Sequence, residues 1–171
     1  PEDEIKFDLN KIKLVTIDIE VAAESGFPDV FNVAEELLLI TVQDYNTKFI
    51  TTFGSRPYKT NPNRKNYRYV DCHSEEGLIT TFVDWWTRNT PEVITGWNCE
   101  MYDIPYLMGR MERLMGEKYA KRMSPWGICR RNEITIAGRA NIVYDIAGIS
   151  VIDYLDPVSY THLTLPTIMT V

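Results

Sequence analysis

The stretch that decides the fold is "LVTIDIEVA", Leu14 to Ala22. Side chains alternate across a strand, so Val15, Ile17, Ile19 and Val21 share one face, and Leu14, Thr16, Asp18 and Glu20 share the other. The first row is β-branched and apolar, fit for a core. The second brings two carboxylates within one strand repeat, where they repel unless water or a cation lies between them. An amphipathic strand with a wet face explains this segment as well as a cation site does, so the rest of the chain must decide.

The 171 residues suit one domain or a piece of one, and 44% hydrophobic with 12% aromatic residues is ample for a folded core. A net charge of -6 gives no general pull toward nucleic acid or anionic lipid, yet it leaves open an enzyme that handles DNA through bound cations. No apolar window approaches a membrane span, and the acidic start "PEDEIKFDL" is unlike a signal peptide, so no membrane partner is expected. Cys72, Cys99 and Cys129 lie far apart without a CxxC, which points to a reducing interior rather than to disulfides or structural zinc. With only His73 and His162 available, any metal would be held by oxygens, which favours Mg²⁺, Mn²⁺ or Ca²⁺.

Outward from the first strand, "EELLLITVQD" and "TKFITTF" read as two β segments joined through "DYNT". "GSRPYKTNPNRKNYRYVD" reads as polar and irregular. Ser74 offers an N-cap with Glu75 and Glu76 in the first turn, and Leu78, Ile79, Phe82, Val83 and Trp86 continue at helical spacing until Pro91. "EVITGW" is a short strand, and 103–116 is a second helix with Ile104, Leu107, Met108, Met111, Leu114 and Met115 on one face. "ITIAGRANIVYDIAGISVIDYL" carries more β signal, with a hairpin turn at Ala137 to Ala140. Strands followed by alternating helices and strands indicate an α/β fold with a mixed sheet flanked by helices. The tail "VSYTHLTLPT", Val158 to Thr167, resembles the translation of a transposon-end adapter used to prepare sequencing libraries. On that reading 158–171 is a non-native tail and 1–157 a partial domain; the other reading is a Thr-rich strand.

The second acidic position lies in "TGWNCEMYDIPYLMGR", Thr95 to Arg110. Asp103 followed by Pro105 is a good helix start, so a capping carboxylate is one reading. Asn98, Tyr102 and Tyr106 around that carboxylate also suit a single-stranded nucleic-acid end, since tyrosine stacks on bases and Asn bonds sugar or base edges. Asp18, Glu20 and Asp103 could together hold two Mg²⁺ ions roughly 3.5–4 Å apart, the spacing of two-metal phosphodiester cleavage. No side-chain nucleophile is then needed.

At this point a family resemblance emerges. "DIE" at Asp18 to Glu20 resembles the first exonuclease motif, Asp-x-Glu, of family B DNA polymerases, and "NCEMYDIPYL" at Asn98 to Leu107 resembles the second. "SPWG", Ser124 to Gly127, and "GISVIDYLD", Gly148 to Asp156, are similar to the stretches that follow in polymerases of T-even-like tailed phages. The resemblance covers about residues 5 to 156. It implies an RNase H-like proofreading domain that removes 3′-terminal nucleotides from a single-stranded primer end. It further implies that Asp18 bridges two ions, Mg²⁺ or Mn²⁺, that Glu20 binds the nucleophile-side ion, and that Asp103 holds the other. Asn98 and Tyr102 match positions that contact the frayed end, and Phe27 matches one that touches the terminal base. For Phe27, a loop ring tucked under the sheet is an equal alternative.

The family's third motif, Tyr-x-x-x-Asp, should lie beyond Asp156, and no candidate stands there. The chain is therefore expected to be incomplete at its C-terminal end, to have little exonuclease activity of its own, and to be marginally stable. The partners implied are the rest of a polymerase chain and, through it, a sliding clamp, in the cytoplasm of an infected bacterium. A catalytically silent RNase H-like module that binds single strands is the rival reading, and a free-standing exonuclease ending in His-x-x-x-x-Asp is a third. One feature belongs to none of these: Arg56 to Tyr69 interleaves Arg56, Lys59, Arg64, Lys65 and Arg68 with Tyr58, Tyr67 and Tyr69. It reads either as a nucleic-acid surface or as a solvated loop that balances an acidic domain.

Overall fold

In the computed structural model, which describes residues 8–23, 26–136 and 138–155, the alternation at Leu14 does form a strand. In β1 (Leu14–Val21) Val15, Ile17 and Ile19 are buried while Asp18 and Glu20 are exposed on the opposite face. β2 (Leu37–Asp44) and β3 (Ile50–Gly54) follow as an antiparallel pair. Their turn is held by the Asp44 carboxylate, whose Oδ1 accepts from Thr47 N at 2.7 Å and Thr47 Oγ1 at 2.8 Å.

The stretch expected to be irregular is so only in part, because β4 (Tyr67–Asp71) runs parallel to β3 along the sheet edge. Tyr67, Tyr69 and Val70 supply the β propensity, and two charged residues on the edge strand disguise it. The helix α1 (Glu75–Asn89) starts as its sequence says: Gly77 N donates to Ser74 Oγ at 3.1 Å. Leu78, Ile79, Phe82, Val83 and Trp86 are all fully buried, and Trp86 Nε1 donates to Met123 O at 2.8 Å. Then come β5 (Val93–Gly96), α2 (Asp103–Met115), the short α3 (Glu117–Ala120), a hairpin of β6 (Cys129–Ile136) and β7 (Arg139–Ile146), and β8 (Ser150–Asp153).

The main sheet has the order β4-β3-β2-β1-β5-β8, with β1 antiparallel to β2 and parallel to β5, and β8 parallel to β5. β6 and β7 form a separate ribbon. α1 packs on β2 and β3, and α2 on β1 and β7, so the core lies on the Val15–Ile17–Ile19 side of the sheet. On α2, Ile104, Leu107, Met108 and Met111 are buried as their spacing predicts, while Leu114 in the last turn reaches solvent. β5 ends close against β1 because residue 96 is glycine: a Cβ there would stand 2.8 Å from Ile17 O and 2.8 Å from Cys99 Cβ. Among the described residues no helix is long and apolar enough to cross a membrane. The adapter-like tail lies outside the described residues.

Candidate active site

β1 outruns β5. The two pair only from Leu14 to Thr16, so the Ile19 N–H beyond that point has no strand partner on this side. Asp103 takes it: Oδ1 accepts from Ile19 N at 3.0 Å, across 84 positions of sequence. The capping reading of Asp103 is thereby overturned. Tyr102 occupies the N-cap position without a side-chain cap bond, and Asp103 is the first helical residue, 5% exposed and turned toward β1. Burial pushes its carboxyl up to about 6, with the charges of Asp18 and Asp153 adding to the shift and the Ile19 bond opposing it. Burial also raises Asp18.

The corner between β5 and α2 is built around a residue the sequence did not single out. Asp153, at the end of β8 and 5% exposed, accepts Asn98 N at 2.8 Å and Leu155 N at 2.9 Å on Oδ1, and Glu100 N at 3.0 Å on Oδ2. This holds Asn98 in the left-handed region, φ 56°, which Asn tolerates better than most residues. Tyr102 N then donates to Asn98 O at 2.9 Å, so the turn that carries both residues hangs on one buried carboxylate. Asp153→Ala is expected to lower stability by about 3 kcal/mol, since it strands several backbone donors at once. The shift of the urea midpoint measures it, and a change below about 1 kcal/mol would contradict the stapling role.

A cleft of about 450 Å³ opens over this corner, and Asp18, Asp103, Asn98, Tyr102, Phe27 and Trp97 all line it. Phe27 is not tucked under the sheet: it is 83% exposed, its ring 4.9 Å from that of Tyr102. Burial, with the charges of its neighbours, raises Tyr102 to about 12, so its hydroxyl stays protonated and available as a donor. Tyr106 is different from expectation. It is fully buried and its hydroxyl donates to Glu35 O at 2.8 Å, so it supports the fold and has no face free for a base. Glu20 is exposed on β1 beside the cleft without lining it. Trp97, 61% exposed on the rim, is a further surface ring that the sequence reading left without a role.

Among the described residues, two carboxylates and no basic side chain line the cleft, a donor chemistry that fits a hard divalent cation. It is not a closed centre: among the described residues no three His, Cys, Asp or Glu side chains converge on one point. The only Tyr-x-x-x-Asp spacing in the chain, Tyr67 to Asp71, lies on the far edge strand, where Asp71 instead accepts from His73 N at 3.0 Å.

These features define a class, an α/β domain with an acidic, aromatic-rimmed cleft beside its central strand. Residues 1–165 match the family described as DNA polymerase family B, exonuclease domain, and the chain belongs to that family. It is 28% identical to the DNA-directed DNA polymerase of Escherichia phage RB69, over 90% of this chain and 20% of that one. The DNA-directed DNA polymerase of Enterobacteria phage T4 is 27% identical with the same coverage. DNA polymerase 037L of Invertebrate iridescent virus 6 is 28% identical over 89% of this chain and 14% of that protein. The chain thus spans about a fifth of the length of the phage relatives it matches.

Proposed function

We propose that this chain is the 3′-to-5′ proofreading unit of a DNA-directed DNA polymerase, hydrolysing the terminal phosphodiester of a single-stranded 3′ end. The observation that carries the reading is the shared cleft, in which Asp18 and Asp103 face the same space as Asn98, Tyr102 and Phe27. Asp18, Glu20 and Asp103 would hold two ions, Mg²⁺ or Mn²⁺. When bound, such ions activate a water and neutralise charge building on the phosphate. The chain's own groups do the rest. Phe27 and Tyr102 offer adjoining ring faces to unpaired bases, and Asn98 offers its amide to sugar or base edges.

The rest of a polymerase chain, a primer 3′ end and a sliding clamp are the proposed partners, in the cytoplasm of an infected bacterium. Taken alone, this chain is proposed to turn over little, because no Tyr-x-x-x-Asp follows Asp156 in its sequence and, among the described residues, two carboxylates line its cleft. The lack of a three-carboxylate cluster among the described residues favours a second reading, a silent module that only positions single strands.

Asp18→Ala in the polymerase carrying this domain separates the two. The enzyme reading expects Mg²⁺-dependent release of 3′ nucleotides to disappear while oligonucleotide binding persists. Release that continues at the original rate would overturn the proposed metal site, and a wild-type polymerase without any release would favour the silent module.

A further inference from the structure

The face of the sheet that bears Asp18 does not stop at β1. Strand register sets Asp18, Thr41, Thr52 and Tyr69 side by side across β1, β2, β3 and β4, and Thr41 Oγ1 lies 3.1 Å from Thr52 Oγ1. Three strand spacings, about 14 Å, therefore separate the Asp18 position from Tyr69 on one face of the sheet.

That far end is a built groove of about 440 Å³. The Tyr69 ring lies over Gly54, where any Cβ would overlap it, and its hydroxyl donates to Arg56 O. Tyr58, 63% exposed, packs against it with ring centroids 5.4 Å apart. At the base of the groove is Ser55, 3% exposed, whose buried Oγ has no hydrogen-bond partner among the described residues. Among the described residues nothing uses that hydroxyl, which is unusual for a buried polar atom.

Tyr67 is shared with an adjoining cleft lined by Lys48, Arg64 and Lys65, and neither cavity has an acidic side chain in its lining. The run from Arg56 to Tyr69 holds five basic residues and no acid in a chain of net charge -6. Arg64 lies over the Tyr67 ring, 5.7 Å from its centroid, and among the described residues only Arg56 of the five is ion-paired, to Glu36 at 3.3 Å on the surface. Ring faces beside cations form the surface that a single-stranded polyanion with stacking bases recognises.

We propose that this face carries a second single-stranded DNA site. A base stacks on the exposed Tyr58 ring in the Tyr58–Tyr69 groove, and the neighbouring phosphates lie along Arg64 and Lys65. The choice of DNA over another polyanion rests on the proofreading function proposed above, whereas the groove's geometry does not depend on the metal centre.

The test is fluorescence anisotropy of a labelled twelve-nucleotide oligo(dT) on this chain, in EDTA so that no hydrolysis intervenes. Tyr58→Ala is expected to raise Kd about tenfold, Tyr58→Trp to keep it near wild type, and Arg64→Glu with Lys65→Glu to weaken binding and flatten its salt dependence. Tyr58 is mostly exposed, and an unchanged circular dichroism spectrum confirms that its variants fold. Suppose Tyr102→Ala abolishes binding while Tyr58→Ala leaves it intact. The second site is then wrong and the proofreading reading survives. Should no variant or wild-type chain bind the oligonucleotide, the site is overturned as well.

Discussion

Replacing Arg110 with alanine is expected to lower the unfolding free energy by about 3–5 kcal/mol, a large share of the roughly 5–15 that holds an ordinary domain. Arg110 is 8% exposed and every arm of its guanidinium is used. Nε donates to Glu75 Oε1 and Nη2 to Glu75 Oε2, both at 2.7 Å, while Nη1 donates to Val33 O at 3.0 Å and Ala34 O at 2.9 Å. Glu75 Oε1 also accepts Leu37 N at 2.8 Å, so one ion pair ties α2 to the first turn of α1 and to the start of β2. Truncating Arg110 leaves Glu75 charged in a nearly dry place and orphans two backbone carbonyls. Lysine cannot restore the fork, so Arg110→Lys recovers only part of the loss. The double variant Arg110→Met, Glu75→Leu, which removes both charges, is expected to be clearly more stable than Arg110→Ala. Urea denaturation decides: an Arg110→Ala midpoint equal to wild type would mean the fork contributes nothing.

What could be read beforehand divides by range of interaction. β1 and α1 are visible in the sequence because their signals are local: alternating Val15, Ile17, Ile19 in one case, Ser74 and a buried stripe ending at Trp86 in the other. β4 is obscured because its pairing partner is β3, and its own residues mix tyrosines with charge as edge strands do. Asp103 has the local signature of a cap, yet it bonds Ile19 because β5 is too short to cover β1, and no single window contains that fact. Asp153 is harder still. Two of its three bonds depend on β8 lying beside β5, because its partners at Asn98 and Glu100 sit 55 and 53 positions away. Asp18, Glu20, Asp103, Asn98, Tyr102 and Phe27 could be named from motifs. The meeting of all but Glu20 in one cleft, and the burial of Tyr106 out of it, required the fold.

Asp103→Asn is expected to act in two directions at once. In the polymerase carrying the domain, 3′-nucleotide release should fall by more than about a hundredfold, because loss of a group that merely supports a metal ligand already costs about ten- to a hundredfold. The domain itself should become more stable at neutral pH. Asp103 titrates at about 6 in the fold against 3.8 in a free chain, so between those values the folded state holds a proton the unfolded state has released. Stability therefore falls as pH rises through that window, and the full penalty, at most about 3 kcal/mol, is present above pH 6. Asparagine is neutral throughout, and its Oδ1 still accepts the Ile19 N–H. The variant should match wild type near pH 4 and exceed it at pH 7.5. Mg²⁺ should narrow that gap by raising the Tm of the wild type alone, since a bound cation relieves the same charge crowding. A carboxylate kept only for structure would do the reverse: its amide variant would lose stability at pH 7.5, keep its activity and ignore Mg²⁺. That outcome, read from paired denaturation and nuclease assays, would remove Asp103 from the proposed metal site.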